Sequence, residues 1–286
     1  MSQPLLIRTP VDSRALRTPV PRRRLVRRVT VCCVLQVLCL SSAVNGAELA
    51  WTGIGSPSFF DTAGNWNPGQ VPTDADNLTF SIDVGGNPII LGAPSNGLNV
   101  NFTDNDWTFT GGANARLDTE GTGTIDDVLA TALANGAQVT FTGGAYWDNH
   151  ESLIVGDLGY GTLNLELGNA SSSTVARDII IGNQAGSVGE INVDGAGTIL
   201  DTDGDILGYY IGQAGTGTLN VINGGQARIT NDTTGAISDL RMGVEAGGHG
   251  TLNISGAGSE VIAEDSFVGA AGDGVLNITD GGALLQ

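Results

Sequence analysis

The chain has 286 residues, and the first 46 read as an export signal, which leaves residues 47–286 to fold. Its 44 glycines and 9 prolines stay below the ~25–30% of a chain that marks low-complexity disorder, and with 41% apolar residues it is expected to fold. Aromatic residues make up only 5%, which argues for a thin aliphatic core rather than one of bulky rings. The basic residues are all arginine, eight of them within the first 28 positions, so residues 47–286 carry four arginines against 29 acids, a net charge of −25. Such a surface repels nucleic acid, anionic membranes and polyuronate chains, and attracts cations.

At the start, residues 1–28 form a basic region and Val29–Leu40 an apolar run of twelve, too short to span a bilayer, so the mature protein is not expected to span one. Val44, Asn45 and Gly46 fit a small-residue cleavage pattern. Cys32, Cys33 and Cys39 all fall in the apolar run, which removes disulfide and thiol chemistry from the mature chain. Residues 47–95 differ in composition from the remainder of the chain. All nine prolines precede residue 95, and all four tryptophans and six of seven phenylalanines precede residue 150. Solenoids need a cap over their first open edge, and this stretch is read as that cap together with the first strands. Ile125 to Asn135, before Gly136, has the content of a short helix.

Residues 96–286 are read as the repeat region, with clear copies from about residue 150. Each copy opens with an apolar pair and a glycine, then a glycine-rich turn and a short strand ending apolar, Asn, apolar. The glycines closing the first strand are Gly156, Gly182, Gly212, Gly243 and Gly269. A period of this length with short alternating strands is the signature of a solenoid. Strand alternation puts Leu163 and Leu165, Ile191 and Val193, Leu219 and Val221, Leu252 and Ile254, and Leu276 and Ile278 inside, with Asn164, Asn192, Asn220, Asn253 and Asn277 outside. Proline is absent after residue 95, as it must be where almost every strand N–H is taken by a neighbouring coil.

The IG, GxGTLNI, GG arrangement resembles the repeat associated with autotransporter (type V secretion) passengers and PEP-CTERM proteins of bacteria. Trp51-Thr52-Gly53, Asp61, Asn65-Trp66, Val71-Pro72, Asp76-Asn77 and Phe80 resemble the start of the same secreted proteins. The resemblance covers roughly residues 51–80 and 150–286 and implies an all-β, right-handed parallel β-helix (a β-solenoid) with an N-terminal cap, secreted or at the cell surface. The sequence has neither a C-terminal membrane barrel nor a PEP-CTERM tail, and its repeat runs into Gln286 in mid-coil. That ending predicts either more coils encoded beyond it or a docking partner.

Two sets of residues stand out as candidate sites. Asp201, Asp203 and Asp205 form the densest acidic cluster, which reads either as a solvated loop or as a calcium loop; glycine falls one place early for an EF-hand, and its glutamate position is occupied by Gly212. Calcium is the one ion considered there, and no other cofactor is expected. On the first strand of each copy, Ile154, Ile180, Tyr210, Arg241 and Phe267 should point outward, because their neighbours Val155, Ile181, Ile211, Met242 and Val268 are the uniformly apolar set. An exposed apolar strip of this kind marks contact with a partner, or else lies under a folded-over loop. A partial outward array of Thr162, Thr218 and Thr251 beside the asparagines suits ordered water or sugar hydroxyls, or a purely structural face. His150 and His249 read as turn residues.

These features together give a secreted or cell-surface β-solenoid with an adhesin-like role and no catalysis. The expected partners are cell-surface or extracellular matrix components, polysaccharide among them. The alternative is an extracellular polysaccharide-degrading enzyme, a lyase or glycoside hydrolase, on the same scaffold, because fold does not decide function. The absence of lysine and the scatter of four arginines weigh against a lyase.

Overall fold

The computed structural model describes residues 46–54, 59–81, 88–92, 94–104, 106–112, 115–167, 169–173, 178–203, 208–229 and 239–286, with the backbone alone for 169–173 and Asp203. All of them lie in the compact unit Ser42–Gln286. The described residues are short strands joined by turns, with two single 3-10 turns and no longer helix.

The strands stack into three parallel sheets, A, B and C, which the chain visits in turn. Among the described residues sheets B and C each hold eight strands and sheet A holds eight plus two, so these strands form a β-solenoid of eight three-strand coils. Sheet A begins with β1 (Glu48–Trp51), which pairs antiparallel with β2 (Trp66–Asn67) on its outer edge and parallel with β3 (Asn77–Phe80) on its inner one. Parallel stacking therefore starts inside the stretch expected as cap and first strands, and β2 covers the first edge. Asp76 pins this end: its buried carboxylate accepts N–H groups from Ala47 (2.6 Å) and Thr73 (2.9 Å) and the Thr73 hydroxyl (2.8 Å). Burial alone would raise its pKa, but these hydrogen bonds outweigh it and hold the carboxyl below its ordinary range.

The period-2 pattern of the sequence is realised coil by coil. Leu163, Ile191, Leu219 and Leu252 stack in register in sheet B and are fully buried, as are Leu165, Val193, Val221 and Ile254 two residues on. Between them Asn164, Asn192, Asn220, Asn253 and Asn277 face outward. The corner from sheet A to sheet B is where glycine is required: Gly182 has φ of 69°, and a Cβ there would lie 2.2 Å from the carbonyl oxygen of Thr216 on the next coil. Gly156, Gly212, Gly243 and Gly269 occupy the same corner with φ between 58° and 73°.

The core departs from the aliphatic expectation in its first coils. Trp51, Phe60, Trp66, Phe80, Phe102, Trp107, Phe109, Phe141 and Trp147 are all buried. Phe80 stacks on Phe102 at 4.7 Å between centroids, Phe109 on Phe141 at 5.0 Å, and Trp51 meets Trp66 edge-on at 5.1 Å. The 5% average conceals a local concentration: eleven of the fifteen Phe, Trp and Tyr residues lie before residue 150, and the coils there are filled by rings. Beyond Trp147 the core is mainly Leu, Ile and Val with Ala227, Met242 and Ala263, and Tyr209 is the one buried ring there among the described residues.

The stretch expected as a short helix is instead an excursion from the coil. Only Leu133–Asn135 makes a 3-10 turn, while Val128 and Leu129 are exposed. The Asp127 carboxylate accepts the N–H groups of Leu129 and Ala130, a local bond that competes with helix formation. Between sheet C and sheet A the connection also varies in length: the strand ending at Asn149 is followed by one starting at Leu153, whereas the one ending at Ile229 is followed by one starting at Asp239.

Candidate functional site

Each sheet has an outward face, and the three faces differ in chemistry. On sheet A the predicted strip is in register: Ile154 opposite Ile180, then Tyr210, Arg241 and Phe267 on successive coils. The first four are half-buried, Phe267 is exposed, and their neighbours Val155, Ile181, Ile211 and Met242 are fully buried. Arg241 is held at both ends. Its guanidinium binds the Asp239 carboxylate (Nε 3.0 Å, NH2 2.5 Å) and lies 5.3 Å from the centre of the Phe267 ring. These contacts keep the arginine flat against the sheet beside an aromatic face, an arrangement frequent where proteins bind partners. Partial burial, with Asp178 nearby, pushes the Tyr210 phenol above its usual pKa, while Arg241 works in the opposite direction.

On sheet B the asparagines form a ladder that their outward position in the sequence pattern did not foretell as bonded. Asn192 Nδ2 donates to Asn164 Oδ1 (2.9 Å), Asn220 to Asn192 (2.7 Å), Asn253 to Asn220 (2.7 Å) and Asn277 to Asn253 (2.8 Å). Thr218 and Thr251 stand beside it in register, and Glu190 and Val275 interrupt their column. The amides satisfy one another along the axis, so the ladder knits the coils together from outside.

On sheet C the register aligns Asp118, Asp148, Ser171, Asp201 and Arg228 in one row. Asp201 and Asp203 thus sit in the strand Ile199–Asp203 and not in the loop that the sequence suggested. An extended strand does not wrap carboxylates around an ion as a calcium loop does. Of the expected calcium set, only the Asp201 side chain lies within the described residues; Asp205 lies outside them.

The denser cluster is at the other end of the same row. Arg116 bridges two carboxylates, NH2 to Asp118 Oδ2 at 2.6 Å and NH1 to Asp148 Oδ2 at 3.2 Å. His150 lies between acids: Nε2 is 3.2 Å from Asp118 Oδ1 and 3.9 Å from Asp148 Oδ1, and Nδ1 is 3.3 Å from Glu120 Oε2. His150 is therefore not the plain turn residue expected. The sequence did hold a signal, since Asp118-Thr-Glu120 and Asp148-Asn-His150 have the same spacing one coil apart.

Against known proteins, the chain is 35% identical over 120 residues to the uncharacterized lipoprotein YdeK of Escherichia coli (strain K12). The aligned stretch is 42% of this chain and 8% of that protein, so the chain spans a small fraction of its relative's length. No family model matches the chain, and no solved structure matches it. The relative's name hints at a surface protein, and among the described residues no helix is long and apolar enough to cross a membrane.

Proposed function

We propose that the chain is a non-catalytic, adhesin-like solenoid of the autotransporter-passenger or PEP-CTERM kind, secreted or held at the bacterial surface. The observation that carries this reading is the sheet A strip. Ile154, Ile180, Tyr210, Arg241 and Phe267 are set at the coil repeat of ~4.8 Å on a parallel sheet. A strip of aliphatic and aromatic surface with a pinned arginine suits a repetitive extracellular partner, a cell-surface or matrix component such as a neutral polysaccharide, and the negative charge of the chain disfavours an anionic one. The name of the partial relative as a lipoprotein supports a surface location.

The test is an array of neutral polysaccharides and matrix proteins probed with the full chain, with reducing ends measured in the same wells. The reading expects binding with no release of reducing ends, and a loss of at least about tenfold in affinity for the Tyr210→Ala, Phe267→Ala double variant at unchanged melting temperature. Release of reducing ends that disappears on changing one carboxylate would instead favour the polysaccharide-degrading enzyme.

A further inference from the structure

We propose that Asp118, Glu120 and His150 form a site for a first-row divalent cation such as zinc, clamping the second coil to the third. Asp118 and Glu120 close the sheet C strand of one coil, and His150 follows the sheet C strand of the next. One ligand atom from each lies within 4.8 Å of the others. Two ligands on a tetrahedral zinc with bonds of ~2.0–2.1 Å are about 3.3 Å apart. The separation of 3.2 Å between His150 Nε2 and Asp118 Oδ1 is of that size, while Glu120 stands 3.3 Å from the other ring nitrogen, Nδ1. Glu120 is 49% exposed, so its carboxylate can swing to the side of the ring on which Asp118 stands.

A separate observation points to a cation. Asp118 Oδ1 is shut off from water and accepts no hydrogen bond, although it faces the imidazole Nε2. A buried carboxylate oxygen left in that state calls for a positive partner. Arg116 does not supply it, because its NH2 goes to the other oxygen, Oδ2, and its NH1 to Asp148. In so doing the arginine fixes the rotation of Asp118 and aims Oδ1 at the histidine, the role that supporting groups play around a metal. One imidazole nitrogen with carboxylate oxygens suits zinc and its first-row neighbours, whereas calcium and magnesium take oxygen alone.

The experiment is calorimetric titration of zinc chloride into the full chain near pH 7.5, with melting temperature followed in parallel. One zinc per chain is expected, with a rise in melting temperature that calcium at equal ionic strength does not reproduce. His150→Gln and Glu120→Gln should each weaken binding at least about tenfold, while Asp265→Asn, at the far end of the solenoid, leaves it unchanged. Zinc K-edge absorption on the unaltered chain should show an imidazole among the ligands, a readout that does not depend on the variants folding. No binding, equal binding by His150→Gln, an all-oxygen ligand set, or an equal response to calcium would overturn the proposal.

Discussion

The first three coils and the five later ones share one backbone plan and fill it differently. In sheet B a single inward column runs Phe109, Phe141, Leu165, Val193, Val221 and Ile254 in unbroken register. The change from ring to branched aliphatic happens in one step, between Phe141 and Leu165. What holds from coil to coil is the alternation of sides, not the volume inside. The ring-filled half also brings polar atoms inward: the Trp147 indole N–H donates to Thr119 Oγ1 (3.1 Å), and that hydroxyl donates to Asn149 Oδ1 (2.7 Å), with Thr119 and Asn149 fully buried. In the aliphatic half Tyr209 is the exception, and its hydroxyl turns to main-chain oxygens of Leu200 (2.8 Å) and Arg228 (3.1 Å). Buried rings with polar edges import partners, whereas Leu and Ile need none.

The comparison can be broken most severely in the aliphatic half. Leu219→Asp places an unpaired carboxylate among aliphatic side chains and should cost several kcal/mol, roughly 4 or more, with Val221→Asp close behind in urea melts. Phe141→Ala, on the ring side of the junction, should cost about 3–5 kcal/mol, and Leu165→Ala across from it about 2–5. A double-mutant cycle on Phe109 and Phe141 sharpens the contrast, since their stacking should give a coupling of about 0.5–1.5 kcal/mol beyond burial. Asn220→Asp, one residue from Leu219 but outside, removes the donor to Asn192 while its carboxylate still accepts from Asn253, and should cost only about 1–2 kcal/mol. If urea melts rank it above Leu219→Asp, the ladder outweighs the core.

The smallest expected effect is a pH dependence at the capped end. Because the folded pKa of Asp76 is depressed, its stabilisation is present above the unfolded value of ~3.9 and is lost as pH falls through the lower folded value. Asp76→Asn should flatten the acid limb of a stability-versus-pH curve below about pH 4 while leaving the neutral-to-basic limb parallel. An acid limb of unchanged steepness would place the acid sensitivity elsewhere among the carboxylates.

The alternation of Leu219, Asn220 and Val221, and the glycine at each corner, were legible because a strand's period of two and a left-handed corner both leave local marks in sequence. So was the outward strip, whose members are identified by their invariably apolar neighbours. Other features were not local. The ring-filled core escaped because composition averages over the chain, and a column such as Phe109 above Phe141 is visible only once coils are laid on one another. Asp118, Glu120 and His150 meet across one coil, so no short motif contains them. Asp201 and Asp203 looked like a loop because clustered aspartates favour turns, yet pairing on both sides, with Ser171 and Arg228 opposite Asp201, holds that segment extended. The helix expected after Ile125 had suitable content, but its apolar residues Val128 and Leu129 have no face to bury against.

The unequal spacing between sheet C and sheet A has a consequence for how such a chain changes over generations. From Gly156 on, each corner leaving sheet A carries a glycine set against neighbouring backbone, so a residue added at that position has nowhere to go. Between sheets C and A the chain already accepts spans of different length without shifting the register of either sheet. In these glycine-cornered coils insertions should therefore accumulate along that seam, leaving the three faces aligned while giving diverging descendants different edges to present to their surroundings.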